Sequence, residues 1–446
     1  MQINCEKFVY LQIFLYLCTR KMINLLSRIW KSSSARNVGK LLSANVFAQL
    51  LGILVYPILT RMYAPEDFGL FNLFISIGGI IALLATGEYQ SAILLPQRED
   101  EAATVARLAC RVLGGWLVVV ALTIPFSNDI ADLFEAPELA SVYWMLVPYV
   151  FGIGAWAIYN AWLTRNRAFG GISTYQLHQS LLGSITKLLF GWMKWLRTGL
   201  VLSSVLAPLL ALLTEIFRSR NTFLTIWQSC PMSFREVANK YRRFPLYSMP
   251  RSLLNTLSSN LPSLVLTPFF GMNQLGFFAM ATTLAFRPVN MITASIHQVL
   301  FERVAQKVRD GQSVLKWLSR QWLMLAAVVV PCMILLAVFL PWLVRILLGE
   351  GWDETAQLIL YMLPWVTCVF LVAPLAFISE VFGKQKLFLI IETIYLALRL
   401  LAMGVGIWMS SFKCAIILMS AVGTIILLTQ LICYIVILYR YDSKRV

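Results

Sequence analysis

Two arginines lie inside long apolar stretches of the sequence: Arg251, and Arg287 within LAFRPVN. Neither has an acidic residue nearby along the chain. An ionised side chain in an apolar environment is costly unless it is paired or hydrated. A guanidinium group keeps its charge when desolvated and binds phosphate-like anions through two parallel donors. The pattern therefore favours an anion-binding role for both arginines in a water-filled cavity.

Arg399 has two interpretations, because Glu392 lies two helical turns earlier on the same face. It either binds the same anion or neutralises this carboxylate. Glu392 is the one acid clearly inside an apolar stretch, so it is the first candidate for coupling to protons or sodium ions, and His178 is the second. Lys187 lies near the end of its stretch, and we expect its amine to snorkel to the membrane surface.

Uncharged polar side chains cluster in two further stretches. Asn45 and Gln49 lie one helical turn apart, and SLLNTLSSNLPS contains Asn255 and Asn260. In a membrane helix such groups either hydrogen-bond the hydroxyl groups of a substrate or hold helices together. We include all four in the candidate substrate site with Arg251, Arg287 and Arg399.

The composition is that of an integral membrane protein. Of the 446 residues, 59% are hydrophobic and 13% charged, and the mean hydropathy is +0.74. Soluble domains carry about twice that share of charge. Stretches of about 20 apolar residues are long enough to cross a bilayer. They cover residues 39–60, 68–89, 102–126, 142–164, 171–191, 198–217, 245–270, 274–300, 318–348, 354–382, 385–409 and 412–439. The sequence predicts an all-α integral membrane protein with about twelve transmembrane helices.

The net charge of +16 follows from the distribution of Lys and Arg between these spans. Most of them lie before the first span or in alternate connections, such as 218–243. The opposite connections at 127–141 and 349–354 contain acids and neither Lys nor Arg. This is the positive-inside pattern, and it predicts a multi-pass protein with both termini in the cytoplasm. The basic excess is thus a topology signal, and no nucleic-acid partner is expected.

The sequence predicts neither a metal site nor a bound cofactor. Most of the eight cysteines are scattered, and several lie within apolar stretches. There a thiol is commonly a small packing residue, so we expect no disulfide framework. The two histidines are far apart and belong to no zinc-binding pattern. A glycine-rich phosphate loop of the Walker type is also missing from the sequence.

Residues 1–37 are expected to form a basic cytoplasmic segment. Within it, FVYLQIFLYLC (8–18) is apolar but too short to span a membrane, and the following CTRK lacks the small residues of a signal-peptide cleavage site. From Met22 the sequence has the character of an amphipathic lead-in to the first span. Residues 1–21 are therefore either part of the protein or an upstream extension of the gene model.

One segment of the chain occurs twice, as LTRMYAPEDFGLF (59–71) and, 207 residues later, as LTPFFGMNQLGFF (266–278). The offset covers six predicted spans, an even number, so both copies enter the membrane in the same direction. Parallel repeats of this kind form two bundles related by an axis along the membrane normal, with a substrate site between them. We therefore predict two pseudo-symmetric six-helix bundles, an N-lobe at 38–220 and a C-lobe at 221–446.

The repeat also bears on the acidic pair Glu66 and Asp67. A membrane glycosyltransferase would use such a pair as catalytic carboxylates in an outer loop. Alternatively, Pro65 starts a helix and the two acids face its positive dipole end. The second copy keeps the turn but has GMNQLG, without acids. The helix-start interpretation is therefore favoured.

The segment ANVFAQLLGILVYPILTRMYAPEDFGLFNLF (44–74) resembles the opening of the oligosaccharide flippases of polysaccharide biosynthesis. These are the Wzx-type O-antigen branch of the multidrug/oligosaccharidyl-lipid/polysaccharide (MOP) exporter superfamily, which shares its fold with the MATE transporters. The resemblance implies a non-enzymatic transporter in the bacterial inner membrane. Its substrate would be an undecaprenyl-diphosphate-linked oligosaccharide, such as an O-antigen or other surface polysaccharide repeat unit. Polysaccharide polymerase and glycosyltransferases are the implied protein partners.

Two other functions are alternatives. An ion-coupled multidrug or cation antiporter of the same superfamily would favour an acidic cavity, whereas the charges deep in these spans are mostly Arg. A membrane glycosyltransferase or polymerase usually has a large external loop or domain. The longest outer connection predicted here is the short segment 127–141. Both alternatives are therefore less favoured than the flippase.

Overall fold

The computed structural model describes residues 49, 51–52, 54–228 and 232–443. Every regular element within these residues is a helix. The basic N-terminal segment 1–37 and the candidate residue Asn45 lie outside the described residues.

Twelve long helices make up the described chain, in agreement with the predicted number. They are α1 (54–62, with helical residues from 49), α2 (Pro65–Thr86), α3 (Glu99–Leu122), α4 (Leu146–Arg165), α5 (Phe169–Trp192), α6 (Leu196–Arg218), α7 (249–270), α8 (272–309), α9 (Leu315–Leu348), α10 (Asp353–Val372), α11 (Gln385–Trp408) and α12 (Phe412–Ser443).

Nine continuous helical segments of the described residues are long and apolar enough to cross a membrane. The longest of them contains both α7 and α8, which separate at Gly271, where φ is 77° and ψ is 171°. Residues other than glycine rarely adopt a positive φ of this kind. Two helices are not among the nine: α5, which has 24 residues but many polar side chains, and α1, which is only partly described.

Two predicted regions differ from the structure, the connection 127–141 and the end of α8. The outer connection 127–141 contains two short helices, Ser127–Leu133 and Pro137–Val142. The span predicted at 354–382 agrees with the continuous helical segment Asp353–Val381, although α10 itself gives way after Val372 to a tight turn that contains Pro374, which cannot donate the next helical hydrogen bond. Helix α8 runs on to Arg309, beyond the predicted end at 300, because a polar sequence can continue a helix into water.

The two halves of the chain pack in the same pattern. In the N-lobe (α1–α6), α5 packs on α6, and α4 contacts α2, α3 and α6. In the C-lobe (α7–α12), α11 packs on α12, and α10 contacts α8, α9 and α12. Each of these four contacts in the N-lobe thus has an equivalent six helices later in the C-lobe. This agrees with the predicted pair of pseudo-symmetric six-helix bundles, whereas the exact boundary at 220 and 221 stays a prediction.

The lobes share a hydrophobic core at only one end of the molecule. We call the end that contains Pro65, Gly271 and Gly349 the outer end, following the charge pattern, and the opposite end the inner end. The larger cluster of buried side chains joins the N-lobe to the outer halves of the C-lobe helices. A second cluster consists of the inner halves of the C-lobe helices alone. The lobes are therefore closed against each other outside and have separate cores inside.

The connector between the lobes, residues 219–248, is attached to the N-lobe. Glu101 at the start of α3 forms an ion pair with Lys240 and accepts a hydrogen bond from the hydroxyl of Tyr241 at 2.9 Å. Burial, together with this hydrogen bond, raises the pKa of Tyr241 to about 12, so the phenol stays protonated and keeps donating at neutral pH. Trp162 Nε1 also donates to the Thr222 carbonyl at 2.9 Å.

Labelling of single cysteines tests the predicted topology. Asn128→Cys and Glu350→Cys should react with a membrane-impermeant thiol reagent in intact cells, because both positions are exposed at the outer end. Arg220→Cys, exposed in the connector, should react only after the cells are opened. Labelling of Arg220→Cys in intact cells, with protection of the other two, would reverse the orientation.

Candidate functional site

Two cations from different lobes lie close together between the helices. Lys187 projects from α5 of the N-lobe and Arg287 from α8 of the C-lobe, near enough for their charges to repel each other. No described acid forms an ion pair with either side chain. Two unpaired like charges at one place disfavour each other unless water or an anion lies between them. Among the described residues, this arrangement is the strongest candidate for an anion-binding site.

Helices α1 and α2 complete the surroundings of the cations. The Arg287 guanidinium lies 6.0 Å from the ring centre of Tyr56, and the Lys187 amine lies 5.1 Å from that of Phe71. Aromatic faces attract cations at such distances. A Cβ atom at Gly52 would be only 3.8 Å from Arg287 Nη1, so the guanidinium passes close to the backbone of α1. Gln49 is helical, half-buried and on the same helical face as Gly52 and Tyr56.

A polar stripe on α7 faces the N-lobe. Ser263 is buried and accepts a hydrogen bond of 2.7 Å from Asn72 of α2, which fixes the direction of this helical face. Ser252, Thr256 and Ser259 lie on the same face at one-turn spacings towards the inner end, where the two lobes have separate cores. The stripe therefore lines the space between the lobes.

The two amides predicted on α7 flank this stripe. Asn255 is exposed, and Asn260 donates to the Thr256 carbonyl of its own helix at 2.8 Å. Arg251 is also exposed and lies 20 residues before Gly271, about the number that spans a hydrocarbon core. Arg251 is thus placed near the inner surface of the membrane, and it forms no ion pair with a described acid. The substrate-binding role of these three residues stays a prediction.

Arg399 is enclosed within the C-lobe. Its side chain is buried, and Nη1 donates to the Ser258 carbonyl of α7 at 2.7 Å. That carbonyl lacks its usual helical partner, because the residue one turn later is Pro262, which has no N–H. The guanidinium also lies 5.3 Å from the ring centre of Trp365 on α10. These contacts give Arg399 a structural role that the sequence analysis did not predict. The sequence signal for it is Pro262, which leaves the Ser258 carbonyl without a helical donor.

The two candidates for ion coupling are far less enclosed. Glu392 is exposed on α11, with Tyr434 of α12 within electrostatic range. It does not form an ion pair with Arg399 in the described residues, so neutralisation is not the contact that Arg399 makes. His178 Nδ1 hydrogen-bonds the Thr214 hydroxyl of α6 at 3.0 Å. Coupling through either residue stays a prediction.

The acidic pair at the start of α2 serves the helix, as predicted. Pro65 occupies the first helical turn, and the Asp67 carboxylate accepts a hydrogen bond from the Ala64 N–H at 2.8 Å. Glu66 forms an ion pair of 2.9 Å with Arg197, which also binds Glu138 at 2.6 Å. Both carboxylates are therefore engaged in structural contacts. No group of three potential metal ligands occurs among the described residues.

Lys187 is the residue that sequence reasoning placed wrongly. Its amine does not extend to the membrane surface but lies over Phe71, within electrostatic range of Arg287. The backbone carbonyl of Lys187 accepts a hydrogen bond from the Tyr63 hydroxyl at 2.6 Å, which ties α5 to the outer end of α1. No local pattern indicates this position, because Lys187 and Arg287 meet only after the two lobes associate.

Comparison with known proteins agrees with this architecture. A family model described as polysaccharide biosynthesis protein matches residues 58–357. A similar curated protein is the succinoglycan biosynthesis transport protein ExoT of Rhizobium meliloti (strain 1021), 22% identical over 283 residues, or 62% of this chain. The chain spans 55% of the length of that relative.

Two solved structures share the fold. The lipid II flippase MurJ in an inward closed conformation is 14% identical, with a TM-score of 0.69 over 90% of this chain and 89% of that one. An inward-facing multidrug resistance MATE family transporter of the MOP superfamily is 16% identical, with a TM-score of 0.67 over 89% and 96%. At these identities the likeness concerns the fold alone.

The contact between Arg399 and Ser258 can be tested by a double-mutant cycle. Arg399→Met leaves the Ser258 carbonyl without a partner, and a buried unsatisfied group costs about 1–3 kcal/mol. Pro262→Ala restores an N–H that can bond this carbonyl within α7. We expect Arg399→Met to lower the free energy of unfolding of the purified protein by about 1 kcal/mol less in the Pro262→Ala background than in the parent. Equal effects in both backgrounds would contradict this explanation, and Arg251→Met serves as the exposed control.

Proposed function

Since the chain belongs to the polysaccharide biosynthesis protein family, we propose that it is a flippase for undecaprenyl-diphosphate-linked oligosaccharide. The substrate is an O-antigen or other surface polysaccharide repeat unit. The protein moves it from the cytoplasmic to the periplasmic leaflet of the bacterial inner membrane. Transport proceeds by alternating access, with the substrate held between the two lobes.

The observation that carries this proposal is the position of Lys187 and Arg287. A diphosphate bears at least two negative charges, and these cations come from opposite lobes without a described acidic partner. Arg287 supplies bidentate donors, and Lys187 supplies a point charge. Because each lobe contributes one cation, the bound diphosphate connects the lobes and favours the conformation in which both cations reach it.

The space between the lobes suits the sugar portion of the substrate. The α7 stripe of Ser252, Thr256 and Ser259 offers hydroxyl groups towards the inner end, and Asn255 and Asn260 flank it with amides. Such groups donate and accept hydrogen bonds and are compatible with different sugars. In this proposal Arg251, at the inner membrane surface, meets the diphosphate first, and Gln49 lies beside its final site.

The alternatives have less support. A cation antiporter would be expected to present acids between the lobes, whereas the charged side chains that meet there, Lys187 and Arg287, are both basic. A glycosyltransferase or polymerase would need free carboxylates, whereas Asp67 bonds its own helix start and Glu66 pairs with Arg197. Protein partners such as a polymerase and glycosyltransferases would bind to the loops of this protein. We propose no specific contact with them.

Neutralising the cation pair tests the proposal. Lys187→Ala and Arg287→Ala should reach the membrane at normal abundance but fail to complement a strain that lacks its oligosaccharide flippase. Lipid-linked oligosaccharide should accumulate in those cells. Arg287→Lys should recover part of the activity, because it keeps the charge but loses the bidentate geometry. Arg345→Ala, exposed at the outer end, is the matched control. Full complementation by both Ala variants would refute the assignment.

Replacing the acidic pair tests the enzymatic alternative. Glu66→Asn with Asp67→Asn should leave surface polysaccharide largely unchanged, because helix-start contacts contribute only about 1 kcal/mol each. An Asn oxygen at position 67 can still accept the Ala64 N–H hydrogen bond. Complete loss of polysaccharide at normal protein abundance would instead favour a glycosyltransferase with catalytic carboxylates.

A further inference from the structure

The repeated segments of the sequence contact each other across the lobe boundary. Gly69 in the second turn of α2 lies so close to α8 that a Cβ atom there would overlap the Met272 carbonyl oxygen. Gly276 in the second turn of α8 lies equally close to α2, and its Cβ atom would overlap the Pro65 carbonyl oxygen. Both contacts are backbone against backbone, which only glycine allows.

The two contacts are equivalent by the internal repeat. Gly276 lies 207 positions after Gly69, and Met272 lies 207 positions after Pro65. Each copy therefore places its glycine on the first turn of the other copy. A pair of reciprocal contacts is what a two-fold axis between the lobes produces. The two glycines are separated by the same 207 positions as the two repeated segments, so they occupy equivalent places in the two lobes.

Further contacts surround the glycine pair at the outer end. Trp352, between α9 and α10, is almost fully buried, and its ring lies edge-on to Phe68 at 5.5 Å and to Phe277 at 5.8 Å. Its Nε1 donates to the Thr60 carbonyl at 3.2 Å. The phenylalanines belong to α2 and α8, so one C-lobe indole packs against both helices of the glycine contact. The contact is mostly apolar and contains no ion pair between the two glycine turns.

We infer that the repeated segments 59–71 and 266–278 form the outer gate of the protein, and that Gly69 and Gly276 determine whether this gate can close. The lobes share their core at this end and have separate cores at the other, so access to the outside requires these segments to part. A side chain at either glycine would hold the lobes apart at the outer end. The inference does not depend on the identity of the substrate.

Distance measurements between spin labels test the gate directly. Nitroxides would be attached at Ser141→Cys in the N-lobe and Glu350→Cys in the C-lobe, both exposed at the outer end, after replacement of the eight native cysteines. Gly69→Leu and Gly276→Leu should each shift the distance distribution in reconstituted membranes to longer distances than in the parent. The measurement needs no substrate, so its result is separate from the test of the proposed function.

Gly79→Leu is the matched control, because Gly79 also lies on α2 and a Cβ atom there meets nothing within 4 Å. Its distance distribution should equal that of the parent. If the Leu variants are not recovered folded, Gly69→Ala and Gly276→Ala replace them, since a single methyl group already overlaps the opposing carbonyl. Identical distributions for the parent, the gate variants and the control would overturn the inference.

Discussion

The approach of α2 to α8 at the outer end is the contact on which the arrangement of the two lobes depends. In lipid, apolar side chains have no reason to prefer each other over acyl chains, so helices associate through close packing. Two glycines allow the backbones of α2 and α8 to meet, and Trp352 fills the space beside them. Because the contact is confined to one end, the lobes are joined outside and have separate cores inside.

The cations within the apolar helices are of two kinds. Arg399 is held within its own lobe, because Pro262 leaves the Ser258 carbonyl free to accept a hydrogen bond from its Nη1. Lys187 and Arg287 instead face each other across the lobes, with aromatic rings but no described acid beside them. The hydrogen bond of Arg399 gives it a structural role, whereas Lys187 and Arg287 are the cations to which we assign the proposed anion. The sequence alone does not distinguish Arg399 from Lys187 and Arg287.

The fold by itself does not identify the substrate. The same architecture is found in a lipid II flippase and in a multidrug transporter, both of low identity to this chain. What differs among proteins that share a fold is the chemistry of the site. Our proposal of a large anionic substrate rests on the polar stripe of α7 and on the cation pair, together with the polysaccharide biosynthesis family to which the chain belongs. Of the two acids of α2, which offered an enzymatic alternative, Asp67 bonds the start of its own helix and Glu66 pairs with Arg197 of α6.

The sequence by itself determined the membrane class, the number of helices and the six-plus-six repeat. These follow from local hydrophobicity and from the spacing of the repeated segment, which need no knowledge of distant contacts. The helix-start role of Asp67 was also predictable, because a cap involves neighbouring residues only. Only the tertiary structure decided which charges meet. Lys187 lies within electrostatic range of Arg287, and Arg399 binds the Ser258 carbonyl, although the residues of each pair are about 100 or more positions apart in the sequence. Periodicity assigns a side chain to a face of its helix, but the helix packed against that face is set by the association of the whole bundle.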